Sequence, residues 1–306
     1  MHVEIQDNAW KLAMRRGDFE AAWQVTDRLE ARRRTAPPTK DNLLWNGDDP
    51  TDRSVAVRCL HGLGDTIQFS RFFPLLNARA AQLSVFVQRE LVPLFKQQQG
   101  FGVIRDGSAQ WESARSTLEV EVMELAYLFR ITSSSVPAPC LRVLPAPNQQ
   151  ARVLSSSAQR SRKVAIFWAS SGWGGGRYIP LKLFDQLAGL ENVQFFSFQQ
   201  GPVEQETATS ALPMHRLAWR TRRMIDLARA LVQMDVVLSV DAMAAHLAGS
   251  LRVPVYLLLE PTADWRWIEG RTDSPWYPEM HVFRRCHQWS DVINEVSERL
   301  QLKFDE

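Results

Sequence analysis

The sequence predicts an α/β protein made of two doubly wound, mainly parallel domains behind a short helical leader. Three observations carry that prediction. Residues 236–240 are a mostly apolar or β-branched run, too short for a helix, and Asp241 ends it. Asp is a strong N-cap, residues 242–251 are helix formers with apolar spacing, and a second apolar run at 253–259 completes a strand–helix–strand crossover. The same order recurs earlier: a strand over 54–60, the loop His61-Gly62-Leu63-Gly64-Asp65, then a helical pattern from 66 to about 79. Between the two lies a Ser-, Pro-, Ala- and Gln-rich stretch, 133–158, with prolines at 137, 139, 145 and 147, which reads as an interdomain connection. The division that follows is a leader at 1–43, a first domain at 44–150 and a second at 151–306.

Composition narrows the class. With 306 residues, 45% of them apolar and 23% charged, the chain has ample material for two globular cores. The net charge of +2, from 36 basic and 34 acidic residues, gives no global electrostatic case for nucleic acid. Cys59, Cys140 and Cys286 are odd in number and far apart, which suits reduced thiols in a cytoplasmic protein better than a disulfide scaffold or a zinc site. No apolar run approaches the ~18 residues of a membrane span, and the N-terminus has no basic-then-apolar signal pattern.

In the leader, apolar residues recur at helical spacing over 8–34 and are interrupted by Arg16-Gly17-Asp18, a turn between two helices. Two short helices bury little alone, so the pair must pack on the body, on a second copy or on a protein partner. Arg32-Arg33-Arg34 reads as a solvated helix end, and residues 36–39 close the leader. Further pieces in the first domain fall at 83–88, 90–97, 102–105 and 118–128. The second domain has a strand at 163–169, a glycine-filled loop from Ser170 to Gly176 ending at Arg177, a helix at 181–190, a strand at 193–199 and a helix at 224–234. The central crossover follows, and a last amphipathic helix spans 290–300.

Several residues are candidates for chemistry. Behind Asp241, the small residues Ala242, Ala244 and Ala245 leave the first helical turn open, so its N–H groups could receive an anion; the same pattern is also ordinary capping. Gly62 and Gly64 permit a tight turn and a close ligand approach. Asp65 reads either as an N-cap or as a carboxylate at the mouth of the sheet, where a general base belongs. His246, one turn into its helix, reads as a packed core histidine or as a site residue. Trp265, Trp267, Trp276 and Tyr277 read as an aromatic packing wedge before a sugar platform.

Four blocks in fixed order resemble glycosyltransferase family 9, that of the lipopolysaccharide heptosyltransferases, and within it the bacterial branch attached to tetratricopeptide repeats. They are Gly62-Leu63-Gly64-Asp65-Thr66-Ile67-Gln68-Phe69-Ser70-Arg71; Arg177-Tyr178-Ile179-Pro180; Ser239-Val240-Asp241 with Ala245-His246-Leu247-Ala248-Gly249; and Asp264-Trp265-Arg266-Trp267 with Arg271 and Ser274-Pro275-Trp276-Tyr277-Pro278. The resemblance covers about residues 44 to 300, and the leader around Gly17-Asp18-Phe19 and Trp23 is similar to the repeat that precedes the enzyme in that branch.

The resemblance implies a GT-B fold, two Rossmann-like domains facing across a cleft, with the acceptor on the first and a nucleotide-sugar on the second. It implies an inverting transfer to a protein or glycan acceptor without metal or other cofactor. Asp65 matches the base that deprotonates the acceptor hydroxyl, and Gly62, Gly64 and Arg71 belong to the acceptor-side block. Arg177 falls where heptosyltransferases direct a Lys at the donor phosphates, while Gln199, Ser239, Asp241, Ala242 and His246 fall in donor-side blocks. Ala169-Ser170-Ser171 replaces the family's Gly-Asn-Pro, and Gln200 stands where a Lys is usual. The competing reading is a non-catalytic GT-B module whose leader binds a partner or a second copy.

Overall fold

The computed structural model describes residues 2–33, 48–108, 117–143, 161–170 and 177–305. The expectations for Arg34, for 36–39, for the connection over 144–158 and for loop positions 171–176 lie outside these residues. The chain forms two compact units. One comprises Met1–Leu141 with Asp264–Arg271, the other Arg142–Ala263 with Thr272–Glu306.

Unit 1 begins with helices α1 (His2–Arg15) and α2 (Phe19–Arg33). Gly17, at φ 75°, makes the turn between them in a conformation that a side chain would strain. The apolar face expected from the spacing is covered within this unit: Met14, Phe19, Ala22, Trp23 and Val25 are buried. The Trp23 indole N–H donates to the Ile131 carbonyl at 2.7 Å, and Asp27 accepts from Tyr127 Oη at 2.5 Å and from Arg130. The sheet follows as β1 (Ser54–Arg58), β2 (Gln82–Val87), β3 (Val103–Asp106) and β4 (Thr117–Glu121), all parallel in the order β3-β2-β1-β4. β1 is buried on both faces, by Val55 and Val57 on one and by Ala56 and Arg58 on the other, so its burial shows no simple alternation. Between strands run α3 (Leu63–Phe69), α4 (Phe73–Asn77) and α5 (Val92–Phe95), and α6 (Glu124–Leu128) follows β4.

Unit 2 carries β5 (Arg162–Phe167), β6 (Val193–Ser197), β7 (Met214–Arg216), β8 (Val236–Val240), β9 (Val255–Leu259) and β10 (Met280–Arg284) in one parallel sheet, ordered β10-β9-β8-β5-β6-β7. Its α-helices are α7 (Met224–Leu231), α8 (Met243–Ser250) and α9 (Trp289–Asp305), the last burying Val292, Ile293, Val296 and Leu300. The crossover β8–α8–β9 stands as expected, with every residue of both strands buried.

The structure departs from the sequence reading in identifiable places. The piece expected at 118–128 is strand β4 and then helix α6, split where the Glu121 carboxylate accepts the Met123 N–H at 2.7 Å. The helix expected at 181–190 is a 3₁₀ segment, Leu181–Gly189. β7 and β10 gave no usable signal: the first is three residues long and the second is flanked by Pro and Trp turns. Residues 264–271, assigned by sequence to the second domain, pack into unit 1. Among the described residues, no helix is long and apolar enough to cross a membrane.

Candidate functional site

In a doubly wound sheet, ligands bind beyond the strand carboxyl ends where the strand order reverses. In unit 1 that point lies between β1 and β4, and in unit 2 between β5 and β8. The chain's candidate residues sit on the segments leaving these strands.

After β1, helix α3 starts at Leu63 with Gly62 as its N-cap, so Asp65 is the third helical residue and not the cap expected as one reading. Its Oδ2 accepts the Gly62 N–H at 2.9 Å, satisfying one of the donors that a helix start leaves open. Neither Gly62 nor Gly64 is among the positive-φ residues, so the loop does not need them for a left-handed turn. Space is tight at Gly62: a Cβ there would lie 3.1 Å from Asp65 Oδ2 and would press on that carboxylate. The other oxygen, Oδ1, is ion-paired with Arg266, and the Asp65 side chain is 24% exposed.

Arg266 is the residue that the individual assignments missed, although its block was singled out. Its guanidinium is nearly enclosed. Nε donates to Gln68 Oε1 at 2.7 Å and Nη1 to Asp264 Oδ1 at 2.8 Å, while Nη2 holds Asp65. The cation also lies 4.5 Å from the Trp265 ring centre. Arg71 is buried and acts on backbone, donating to the carbonyls of Gln68 (2.7 Å) and Pro137 (3.1 Å). It therefore braces the end of α3.

A second carboxylate ends β4. Glu121 is buried and accepts from Met123 N and, more weakly, Leu60 N, with His61 Nε2 3.9 Å away. Burial raises its pKa above the ordinary carboxylate value, against the lowering effect of the Met123 N–H and of His61. Cys59 is buried beside it, and desolvation pushes its thiol pKa up, which disfavours the thiolate.

In unit 2, helix α8 is capped by Ala242, in extended conformation, one residue later than the Asp241 cap read from sequence. Released from capping, Asp241 sits between two bases: Arg177 Nη2 is 3.4 Å from Oδ2 and His246 Nε2 is 3.9 Å from Oδ1. Arg177 is 40% exposed on its side chain, and its backbone is pinned where its carbonyl accepts the Ser170 N–H at 3.0 Å. His246 Nδ1 is 2.9 Å from Tyr277 Oη, which hydrogen-bonds the ring at that nitrogen, and Nε2 faces the Asp241 carboxylate. The structure thus brings Arg177, Asp241, Ala242 and His246 together.

Two other candidates are occupied differently. Gln199 Oε1 accepts from the N–H groups of Trp168 (3.2 Å) and Ala169 (3.1 Å), splicing β5 to the end of β6. Ser239 is fully buried and donates to the Val240 carbonyl at 2.8 Å. Both shape the strand ends. The aromatic group divides: Trp265 packs edge-on against Trp10 in unit 1 (centroids 5.2 Å apart), while Trp276 and Tyr277 are buried in unit 2.

Comparison with known proteins gives a structural answer. No family model matches the sequence, and no curated protein does. Among solved structures, the glycosyl transferase family 9 protein of Veillonella parvula DSM 2008 aligns with a TM-score of 0.56 at 10% identity, over 83% of this chain and 90% of that one. The Escherichia coli ADP-heptose lipopolysaccharide heptosyltransferase II aligns at 0.59 with 13% identity, over 82% and 98%. An E. coli heptosyltransferase solved with ADP aligns at 0.51 with 12% identity, over 82% and 98%. The chain shares the α/β fold of these three glycosyltransferase structures.

Proposed function

We propose that the protein is an inverting, metal-independent glycosyltransferase of the cytoplasm that moves a sugar from a nucleoside-diphosphate donor to a protein or glycan acceptor. The observation that carries this reading is the placement of the candidates. Asp65 leaves β1 beside the strand-order reversal of the first sheet, and the Arg177–Asp241–His246 cluster adjoins that of the second. The fold shared with family 9 heptosyltransferases supports the same chemistry.

Each unit then has a distinct task. On unit 1, Asp65 accepts the proton of the acceptor hydroxyl as that oxygen attacks the anomeric carbon. Each of its oxygens makes one contact, which leaves lone pairs available on a partly exposed carboxylate. On unit 2, the donor diphosphate gains charge as the glycosidic bond breaks. The first-turn N–H groups of α8 and Arg177 supply positive charge there. Arg177 has five N–H donors and its contact with Asp241 is at ion-pair range, so the pair orients the guanidinium without exhausting it. Loss of one donor to such a developing charge costs on the order of 3 kcal/mol.

A nucleotide-sugar panel (ADP-, GDP- and UDP-linked) with release of nucleoside diphosphate as readout tests this reading. Turnover of at least one donor is expected, and Asp65→Asn should lower it by about 10²- to 10⁴-fold. The neutral amide keeps the shape and leaves donor affinity within twofold. A non-catalytic module is the second reading, favoured by the pairing of both key charges, Asp65 with Arg266 and Arg177 with Asp241. Binding without turnover across the panel would select it.

A further inference from the structure

Resting on the assignment of Asp65 as base, we propose that Arg266 is its positioning residue and that the α1–α2 turn holds Arg266 in place. The leader is then part of the catalytic unit.

The contacts form a continuous chain inside unit 1. Gly17 packs under Ile268, where a Cβ would lie 3.2 Å from Ile268 Cδ1. The Glu269 N–H donates to the Arg15 carbonyl at 2.7 Å, and the Arg15 and Glu269 side chains are ion-paired. Trp10 meets Trp265 edge-on, and the Trp265 ring in turn stacks under the Arg266 cation. Asp264 caps the short turn by accepting the Arg266 N–H at 3.1 Å and also holds Nη1. Three acceptors, Gln68, Asp264 and Asp65, therefore fix the planar guanidinium, a geometry that an ammonium group cannot reproduce.

Two unfavourable features converge on the same place. Ile268, a β-branched residue, sits at φ 38°, outside the regions such residues adopt without strain. Gln68 is fully buried, gives its oxygen to Arg266 and leaves Nε2 without a hydrogen-bond partner. Strain and unmet polar groups persist where the surroundings fix a geometry that function needs. Here both serve the placement of one cation, and that cation sets the direction of the Asp65 carboxylate.

The test uses Arg266→Met, Arg266→Lys and Trp10→Ala in the full chain, with two readouts. The first is carbodiimide labelling of residue 65, quantified by mass spectrometry, which needs no activity. Labelling should rise severalfold in Arg266→Met and to a lesser degree in Trp10→Ala. The second is turnover of the donor selected by the panel. The value of kcat should fall on the order of 100-fold in Arg266→Met, the scale expected of a misplaced group, with KM for the donor unchanged. Arg266→Lys should recover only part of the loss, because charge alone does not restore the three-way alignment.

Unaltered labelling in Arg266→Met, with the fold intact by near-ultraviolet circular dichroism, would overturn the proposal. So would altered labelling with kcat within twofold of wild type, or full recovery by Lys. If the wild-type protein turns over no donor, the assignment of function fails, and the labelling result still decides whether Arg266 and the leader hold Asp65.

Discussion

Asp65 and Glu121 are two carboxylates at the carboxyl end of one sheet with opposite surroundings. Asp65 is partly exposed and faces a guanidinium, whereas Glu121 is buried and its pKa is raised by desolvation. A carboxylate whose pKa is higher folded than unfolded binds more protons in the native state across that interval. Its stabilising contribution is complete below the ordinary value of 4.5 and is lost as pH rises through the folded value. Glu121→Gln should therefore make the melting temperature fall less, relative to wild type, as pH rises above 4.5, which a pH series of thermal melts on the two proteins will show. At this scale the sequence was partly legible. Asp65, Arg177, Asp241 and His246 stand out because their residue types follow strands. Glu121 is the last residue of an alternating strand and reads there as one more polar position, while the partners of Gln199 lie 30 and 31 residues earlier and Ser239 turns to the carbonyl of the next residue.

Among the elements, α8 and the leader carry the most consequence. Gly249, on α8, leaves room for the Tyr277 ring: a Cβ there would lie 2.6 Å from Cδ1. The ring is buried and tied through its hydroxyl to His246, so it cannot swing away cheaply. Gly249→Ala should cost about 1–3 kcal/mol, as overpacking does, read as a drop in melting temperature. In the leader, Trp23→Phe keeps an aromatic ring between Phe19 and Tyr127 but strips the Ile131 carbonyl of its donor. The expected loss is about 1–3 kcal/mol, measurable by denaturant unfolding. Strands β1, β5, β6, β8 and β9 were legible because parallel strands buried on both faces are written as continuous apolar runs. The exact helix starts were not, since Gly62 and Ala242 cap without a side-chain hydrogen bond and so lack the usual signature.

On the scale of the molecule, the chain builds two parallel α/β units and returns to the first through residues 264–271. Local pattern cannot announce that return, because the segment follows β9 in sequence while its partners, Trp10, Arg15 and Asp65, lie more than 190 residues earlier. The resemblance in four ordered blocks was the sequence's main guide to function, and the shared fold agrees with it at 10–13% identity. If donor chemistry belongs to unit 2, nucleoside diphosphate at 100 times its Kd should stabilise the protein by about 2.7 kcal/mol, equally in wild type and Asp65→Asn. The most direct test of the whole account is the rate of nucleoside-diphosphate release from the preferred donor, compared between these two proteins at saturating donor. The account predicts a fall of at least about 100-fold in Asp65→Asn, and a rate within a few-fold of wild type would contradict it.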